Sequence, residues 1–255
     1  MNAVIFAGPS LPPRLRPSDP ALCWRPPVRQ GELYRAALER PAIIGVVDGY
    51  FEVVPTVWHK EILWAMAQGI HVCGAASIGA LRAAELAPFG MNGIGRIYEA
   101  FRDGILEDDD EVAVLHGPEE LGYPAVTEAM VDIRVTLAAA EQSRVIAPPL
   151  AAGLIATAKS IFYKNRTYPA ILRAATEQDL PQAALQDLAA WLPTGKVDQK
   201  IRDALALVSA VSAHLAAGLT PLRVTYTFAN TAAWEAASRR ADGEMGVEPG
   251  IQDFA

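Results

Sequence analysis

Cysteine is nearly absent: Cys23 and Cys73 are the only two in 255 residues. That excludes a disulfide framework and a Cys-rich zinc site, and a reducing cytoplasm is the expected setting. Basic residues are the minority, 22 against 29 acidic, for a net charge of −7. Bulk nucleic-acid binding draws most of its affinity from basic charge, so no nucleic-acid partner is expected. A long hydrophobic run is also missing. The longest weakly apolar stretch, 204–219, is broken by Ser209, Ser212 and His214 and falls short of the ~20 residues that cross a bilayer. No membrane partner is expected either. The opening MNAVIFAGPSLPP has no basic region before its short apolar run, so it does not read as a signal peptide. His71, His116 and His214 show no ligand spacing, and the acidic run 107–111 lacks an EF-hand pattern. No metal is expected. Gly90-x-x-Gly93-x-Gly95 follows a helix rather than a strand, which is not how a dinucleotide fingerprint begins. No cofactor is expected.

What is present is a globular chain, 51% hydrophobic and 20% charged. Short apolar runs at 3–7, 42–47, 70–73 and 112–115 read as strands. Helical patterns at 31–39, 56–68, 77–86 and 94–102 alternate with them. This alternation predicts an α/β fold, a mostly parallel sheet covered by helices. Residues 9–29, rich in proline and arginine, read as an irregular loop. Beyond about 125 helical periodicity takes over, at 126–141, 147–160, 169–176, 180–192 and 197–216. The expected organisation is an α/β core over 1–124, a C-terminal helical lobe over 125–222, and a C-terminal segment over 223–255. Within that segment 223–228 reads as a late strand and 241–255 as a loose tail.

The most informative stretch is Gly74-Ala75-Ala76-Ser77-Ile78-Gly79-Ala80-Leu81-Arg82. Small residues join a strand to a helix with a serine at the junction. Ligands of open α/β sheets collect at the carboxyl ends of strands, and a helix start favours an anion. Ser77 is therefore a candidate nucleophile, although G-x-S-x-G would need glycine where Ala75 stands. The competing reading is a serine that only caps its helix. A phosphate loop is disfavoured, since no lysine follows in the turn.

A serine nucleophile needs a base. Lys60 and His59 lie in the preceding strand–helix unit. The start of a helix and apolar neighbours would lower the pKa of Lys60, and if both helices begin at one sheet edge, Lys60 meets Ser77. Asp48 closes its strand at that edge and is placed to orient Lys60 or to cap the next segment. Gly49, Gly74, Ala75 and Ala76 would leave room for substrate, and Arg82 would hold a carboxylate unless it pairs with Glu85. Backbone N–H groups of Gly8 and Ile78 are candidate oxyanion donors. The aromatic and basic link FYKNRTYP, 162–169, brings Lys164 as a reserve base and Arg166 as an anion contact.

Residues 48–86, DGYFEVVPTVWHKEILWAMAQGIHVCGAASIGALRAAEL, and FYKNRTYP resemble the TfuA-like proteins. The resemblance implies work beside a YcaO-family enzyme in peptide backbone thioamidation. It implies a Ser–Lys hydrolase that acts on a thiocarboxylated, ubiquitin-like sulfur carrier of the ThiS type and releases sulfide. The peptide substrate would be met indirectly. The family serine falls on Ser77, and its lysine on Lys60 or Lys164. Two other readings stay open: a non-catalytic adaptor that binds YcaO and its peptide, and a small-molecule hydrolase unrelated to thioamides.

Overall fold

The computed structural model describes residues 2–243 apart from Phe51 and Val53. Five short parallel strands form one sheet: β1 (Ala3–Phe6), β2 (Leu22–Arg25), β3 (Ile43–Val46), β4 (His71–Ala75) and β5 (Asn92–Ile94). Their order is β2-β1-β3-β4-β5. The order reverses between β1 and β3, and the crevice at such a reversal is where open α/β sheets take ligands.

Alternation along the strands separates two faces. Val4, Phe6, Ile44, Val46 and Val72 pack beneath helices α1 (Glu32–Leu38), α2 (His59–Ala67) and α3 (Ile78–Leu86). Ala3, Ile5, Ile43, Cys73 and Ala75 face the other way, against Ala204, Leu207, Val208 and Val211 of α9 (Gln199–Ala217). Burying each larger aliphatic of α9 contributes about 2 kcal/mol. Helix α9 thus belongs to the sheet's packing, although its periodicity continues that of the helical half. Helices α5 (Met130–Gln142), α6 (Pro148–Ser160), α7 (Tyr168–Glu177) and α8 (Gln182–Gly195) enclose a separate apolar cluster. A small cluster of Ala80, Ile97, Phe101, Val112, Ala129 and Val131 joins α3 and α4 (Arg96–Arg102) to α5.

The α/β class, the parallel sheet and the helical C-terminal half agree with the sequence reading. Four local expectations do not. Strand β2 lies inside the stretch 9–29 expected to be irregular, because Leu22–Arg25 finds β1 as a partner. Residues 92–94 form β5, so the helix expected from 94 begins at Arg96. Residues 112–115 join no named strand; they follow a 3-10 turn at Asp109–Glu111. Residues 223–228 are irregular, since their apolar side chains pack locally instead of entering a ladder. Val224 joins the cluster under α2, Tyr226 Oη donates to Leu63 O (2.7 Å), and Phe228 meets Trp234 of α10 (Ala232–Ala241) edge-on. The tail expected over 241–255 lies, from 244 onward, outside the described residues. Among the described residues no helix is long and apolar enough to cross a membrane.

Candidate active site

The chain leaves β4 through a tight elbow. The Ser77 N–H donates to Ala75 O (2.8 Å), and Ala76 between them has φ +66°. This is a γ-turn with its central residue in the left-handed region, a strained form that clusters at functional sites. The strand and helix then nearly touch. A Cβ on Gly74 would stand 2.0 Å from Gly79 O, and one on Gly79 would stand 1.8 Å from Val46 O. The close approach therefore uses Gly74 and Gly79. The glycine looked for at position 75 sits one residue earlier, and the tightness expected of an elbow is preserved.

Ser77 is the N-cap of α3 but makes no capping hydrogen bond. Its side chain is buried, 8% exposed, and it lines a cavity of about 590 Å³ at the carboxyl edge of the sheet. An N-cap serine ordinarily gives its oxygen to a helix N–H; this one makes no such bond, and its hydroxyl is uncommitted among the described residues. The other walls come from Asp48, Gly49 and Tyr50 after β3, from 112–120 and Tyr123, and from Tyr163 and Lys164.

Asp48 is 1% exposed. Its Oδ2 accepts from the Gly8 and Ser10 N–H groups (2.8 and 2.9 Å), and its Oδ1 from Ser10 Oγ (2.6 Å). Asp48 therefore holds the loop after β1 and does not orient Lys60. The same bond corrects the expectation for Gly8, whose N–H is spent on Asp48 rather than free for an oxyanion. Ile78 lines the cavity at the first helical position, where N–H groups lack an intrahelical acceptor. Gly79 N–H reaches Val47 O (3.4 Å), and no partner outside the helix takes that of Ile78 among the described residues.

Lys60 and Ser77 are not brought together. Lys60 Nζ donates to Ala229 O (2.8 Å) and Thr231 Oγ1 (2.7 Å) and sits over the Phe228 ring. It leaves the second residue of α2 on the side where the C-terminal segment passes, and it is not in the cavity wall. His59 is also elsewhere, its Nε2 2.7 Å from Glu85 Oε2. Arg82 pairs with the same carboxylate (2.7 Å) and reaches Val57 O (3.3 Å), so the pairing reading holds and the cavity does not contain it. Ala75 and Ala76, fully buried, and Gly74 serve the elbow and do not line the cavity; Gly49 does.

The lysine in the cavity wall is Lys164. Its Nζ lies 3.1 Å from Glu52 Oε2, and Tyr163 Oη donates to that oxygen too (2.9 Å). The hydrogen bond to Glu52 holds the ammonium charged above its ordinary range. Arg166 is 1% exposed and does not line the cavity. Its guanidinium donates to Ala158 O, Ile161 O and Asp110 O, and pairs with Asp110 Oδ2 at 2.7 Å. The acidic run is thus a bracket. Asp110 also pairs with Lys159, and Glu111 takes two bonds from Arg134 (2.8 and 2.9 Å). Burial opposes ionisation of both carboxyls, but these hydrogen bonds hold them below the usual range. The bracket fixes the segment that continues into the cavity wall.

Sequence reasoning missed His116 and Tyr123. His116 sits between the Tyr50 and Tyr123 rings (5.9 and 5.8 Å), and its Nδ1 is 2.8 Å from Gly117 O. An Nδ1–H donated to that carbonyl leaves Nε2 as an acceptor. The available signal was turn chemistry, Gly117-Pro118 and Gly122-Tyr123-Pro124, which marks a loop but not what the loop encloses.

Fold and site define an α/β protein with an uncommitted serine on an elbow at the carboxyl edge of a parallel sheet. Residues 48–167, just under half of the chain, match the family model described as TfuA-like protein. The matched span holds Asp48, Ser77, His116, Tyr123 and Lys164. The family is linked to YcaO-associated thioamidation. Compared with curated proteins, the chain matches none.

Proposed function

We propose that this protein hydrolyses the thiocarboxylated C-terminus of a ubiquitin-like, ThiS-type sulfur carrier and supplies the sulfide to a YcaO-family enzyme in peptide thioamidation. The observation that carries the reading is the Ser77 hydroxyl, buried at a helix start, free of its capping bond and facing a cavity. Ser77 Oγ attacks the thiocarboxylate carbon while its proton passes to a neutral lysine. Lys164 takes that role in place of Lys60, because it shares the cavity wall with Ser77. The C–S bond breaks, sulfur leaves with the proton as hydrosulfide, and an acyl-serine remains. Water then cleaves the ester, giving a carboxylate and free serine. In sum, one thiocarboxylate and one water become one carboxylate and hydrogen sulfide. The Ile78 N–H is the backbone donor for the tetrahedral oxyanion.

The adaptor reading has one observation in its favour. Leu115, Leu121 and Phe162, in the segments around the cavity, are exposed, as a docking surface would require. Sulfide release from a thiocarboxylated carrier separates the two readings. Ser77→Ala is expected to lower the rate by about 10³-fold or more with the fold intact. A folded Ser77→Ala protein with full sulfide release would return Ser77 to a structural role and favour the adaptor.

A further inference from the structure

We infer that His116 is a catalytic residue of the Ser77 cavity, its Nε2 taking the proton from the water that cleaves the acyl-serine. The inference rests on the hydrolase reading above and assigns the second half of its reaction.

The chemistry has work for two proton acceptors. Serine gives up one proton when it attacks, and water gives up another when the ester is cleaved. Lys164 stands on one wall, tied to Glu52 with Tyr163 on the same oxygen. His116 lines the cavity elsewhere, between the Tyr50 and Tyr123 rings.

The hydrogen bonds of the imidazole fix which nitrogen is free. Nδ1 lies 2.8 Å from Gly117 O, an oxygen that can only accept. The proton of the neutral ring therefore sits on Nδ1, and the lone pair is left on Nε2. Nε2 has no hydrogen-bond partner among the described residues, and it is not one of the unpartnered side-chain atoms that are shielded from solvent. Water in the cavity can reach it. Packing accounts for the ring contacts of His116, but not for an open acceptor in the cavity that holds the Ser77 hydroxyl.

The backbone holds this ring in place. His116 bridges Ala125 in antiparallel fashion. Val126 N–H donates to Leu115 O (2.8 Å), Gly117 N–H to Pro124 O (2.8 Å), and Leu115 N–H to Thr127 Oγ1 (2.7 Å). Both sequence neighbours of His116 are thus bonded across a short hairpin. The way from there to Ser77 is short. A Cβ on Gly49 would stand 2.9 Å from Ile78 Cγ2, so the loop after β3 abuts the residue that follows Ser77. The next residue of that loop, Tyr50, carries the ring that meets His116 at 5.9 Å.

In the step assigned to His116, the water oxygen bonds to the ester carbon as a proton passes to Nε2. The tetrahedral adduct collapses, the C–Oγ bond breaks, and the same proton moves from Nε2 to Ser77 Oγ. The acid product gives its own proton to solvent and leaves as carboxylate.

The test supplies a thiocarboxylated ubiquitin-like carrier to the wild type, His116→Ala and His116→Gln. It follows sulfide through the first and later turnovers, and the carrier–enzyme ester by intact mass. Both variants are expected to release the first equivalent of sulfide at the wild-type rate. The ester then accumulates, and later turnovers slow by about 10²-fold. Added imidazole is expected to speed decay of the ester in His116→Ala. His116→Gln keeps a polar side chain in the aromatic setting, so it carries the comparison if the alanine variant does not fold. Unchanged later turnovers, a first turnover slowed as much as the rest with no ester, or a thermal midpoint several degrees lower in His116→Gln with no ester would each overturn the inference. Those outcomes with active wild type leave the hydrolase reading standing. A wild type that releases no sulfide overturns both.

Discussion

A lysine can serve as a base only when neutral, and Lys164 is held charged by Glu52. This sets a measurable consequence at the residue scale. Glu52→Gln removes the charge that raises the Lys164 pKa, so the rising limb of the pH–rate profile for sulfide release is expected to move to lower pH. An unmoved limb would take the base role away from Lys164. The serine half of the site was legible in the sequence because its signal is local: small residues, a strand end and a helix start lie within six positions. The lysine half was not. Lys60 lies in the neighbouring strand–helix unit and has suitable neighbours, yet its side chain is claimed by Ala229 and Thr231, about 170 positions away. Tyr123 and His116 escaped notice because a loop has no periodicity from which to read a facing.

The helices reveal a common device at the element scale. Three of them are capped by a buried carboxylate from another segment, two of these without any local side-chain cap. Glu61 Oε2 accepts from Gly31 and Tyr34 N–H at α1 (2.9 and 3.2 Å). Asp203 Oδ2 accepts from Ile97 N–H at α4 (2.8 Å). Asp132 Oδ1 accepts from Gln199 and Lys200 N–H at α9 (2.7 and 3.1 Å), where Asp198 adds a local cap through Ile201 N–H. Gly31 and Gly95, the local N-caps of α1 and α4, have no side chain to offer, so helix starts that looked weak in sequence are closed from a distance. Burial raises the pKa of all three carboxyls, that of Asp132 to about 7, with the charge of Asp198 helping. A carboxyl raised in the folded state favours the fold while protonated. Its contribution falls as pH climbs from the unfolded value of ~3.9 through the folded one. Asp110 and Glu111, held low, act in the opposite sense, and their contribution is lost as pH falls through their folded values. Asp132→Asn keeps an oxygen acceptor and removes the titration. Urea unfolding of the variant is expected to show a smaller loss of stability between pH 5 and pH 7 than the wild type. An identical loss in both proteins would refute it.

For the whole molecule, the C-terminal segment acts as a strap. Trp234, 4% exposed, sits among Tyr34, Trp58, Trp64 and Phe228 and is the buried residue through which α10 docks. Truncating a buried tryptophan costs about 3–5 kcal/mol, more than a short docked helix can retain. Trp234→Ala is therefore expected to release α10 to rapid amide exchange while β3 and β4 keep their protection. Uniform loss of protection across the sheet would show instead that the strap is part of the cooperative core. The α/β class and the helical half were legible because their patterns repeat over many residues. The sheet's edges were not: β2 and β5 are short, and each is a strand because of the neighbour it meets rather than its own composition.

One face of the sheet is covered by α9, which begins almost two hundred residues after β1. On a ribosome, strands β1, β3 and β4 emerge long before their cover. Until about residue 217 is made, Ile5, Ile43, Cys73 and Ala75 have nothing apolar of that helix against them. The nascent chain carries an open hydrophobic face from the emergence of β1 until α9 follows, a state that favours chaperone capture over early folding. Completion of the sheet's packing is thereby deferred until α9 has emerged.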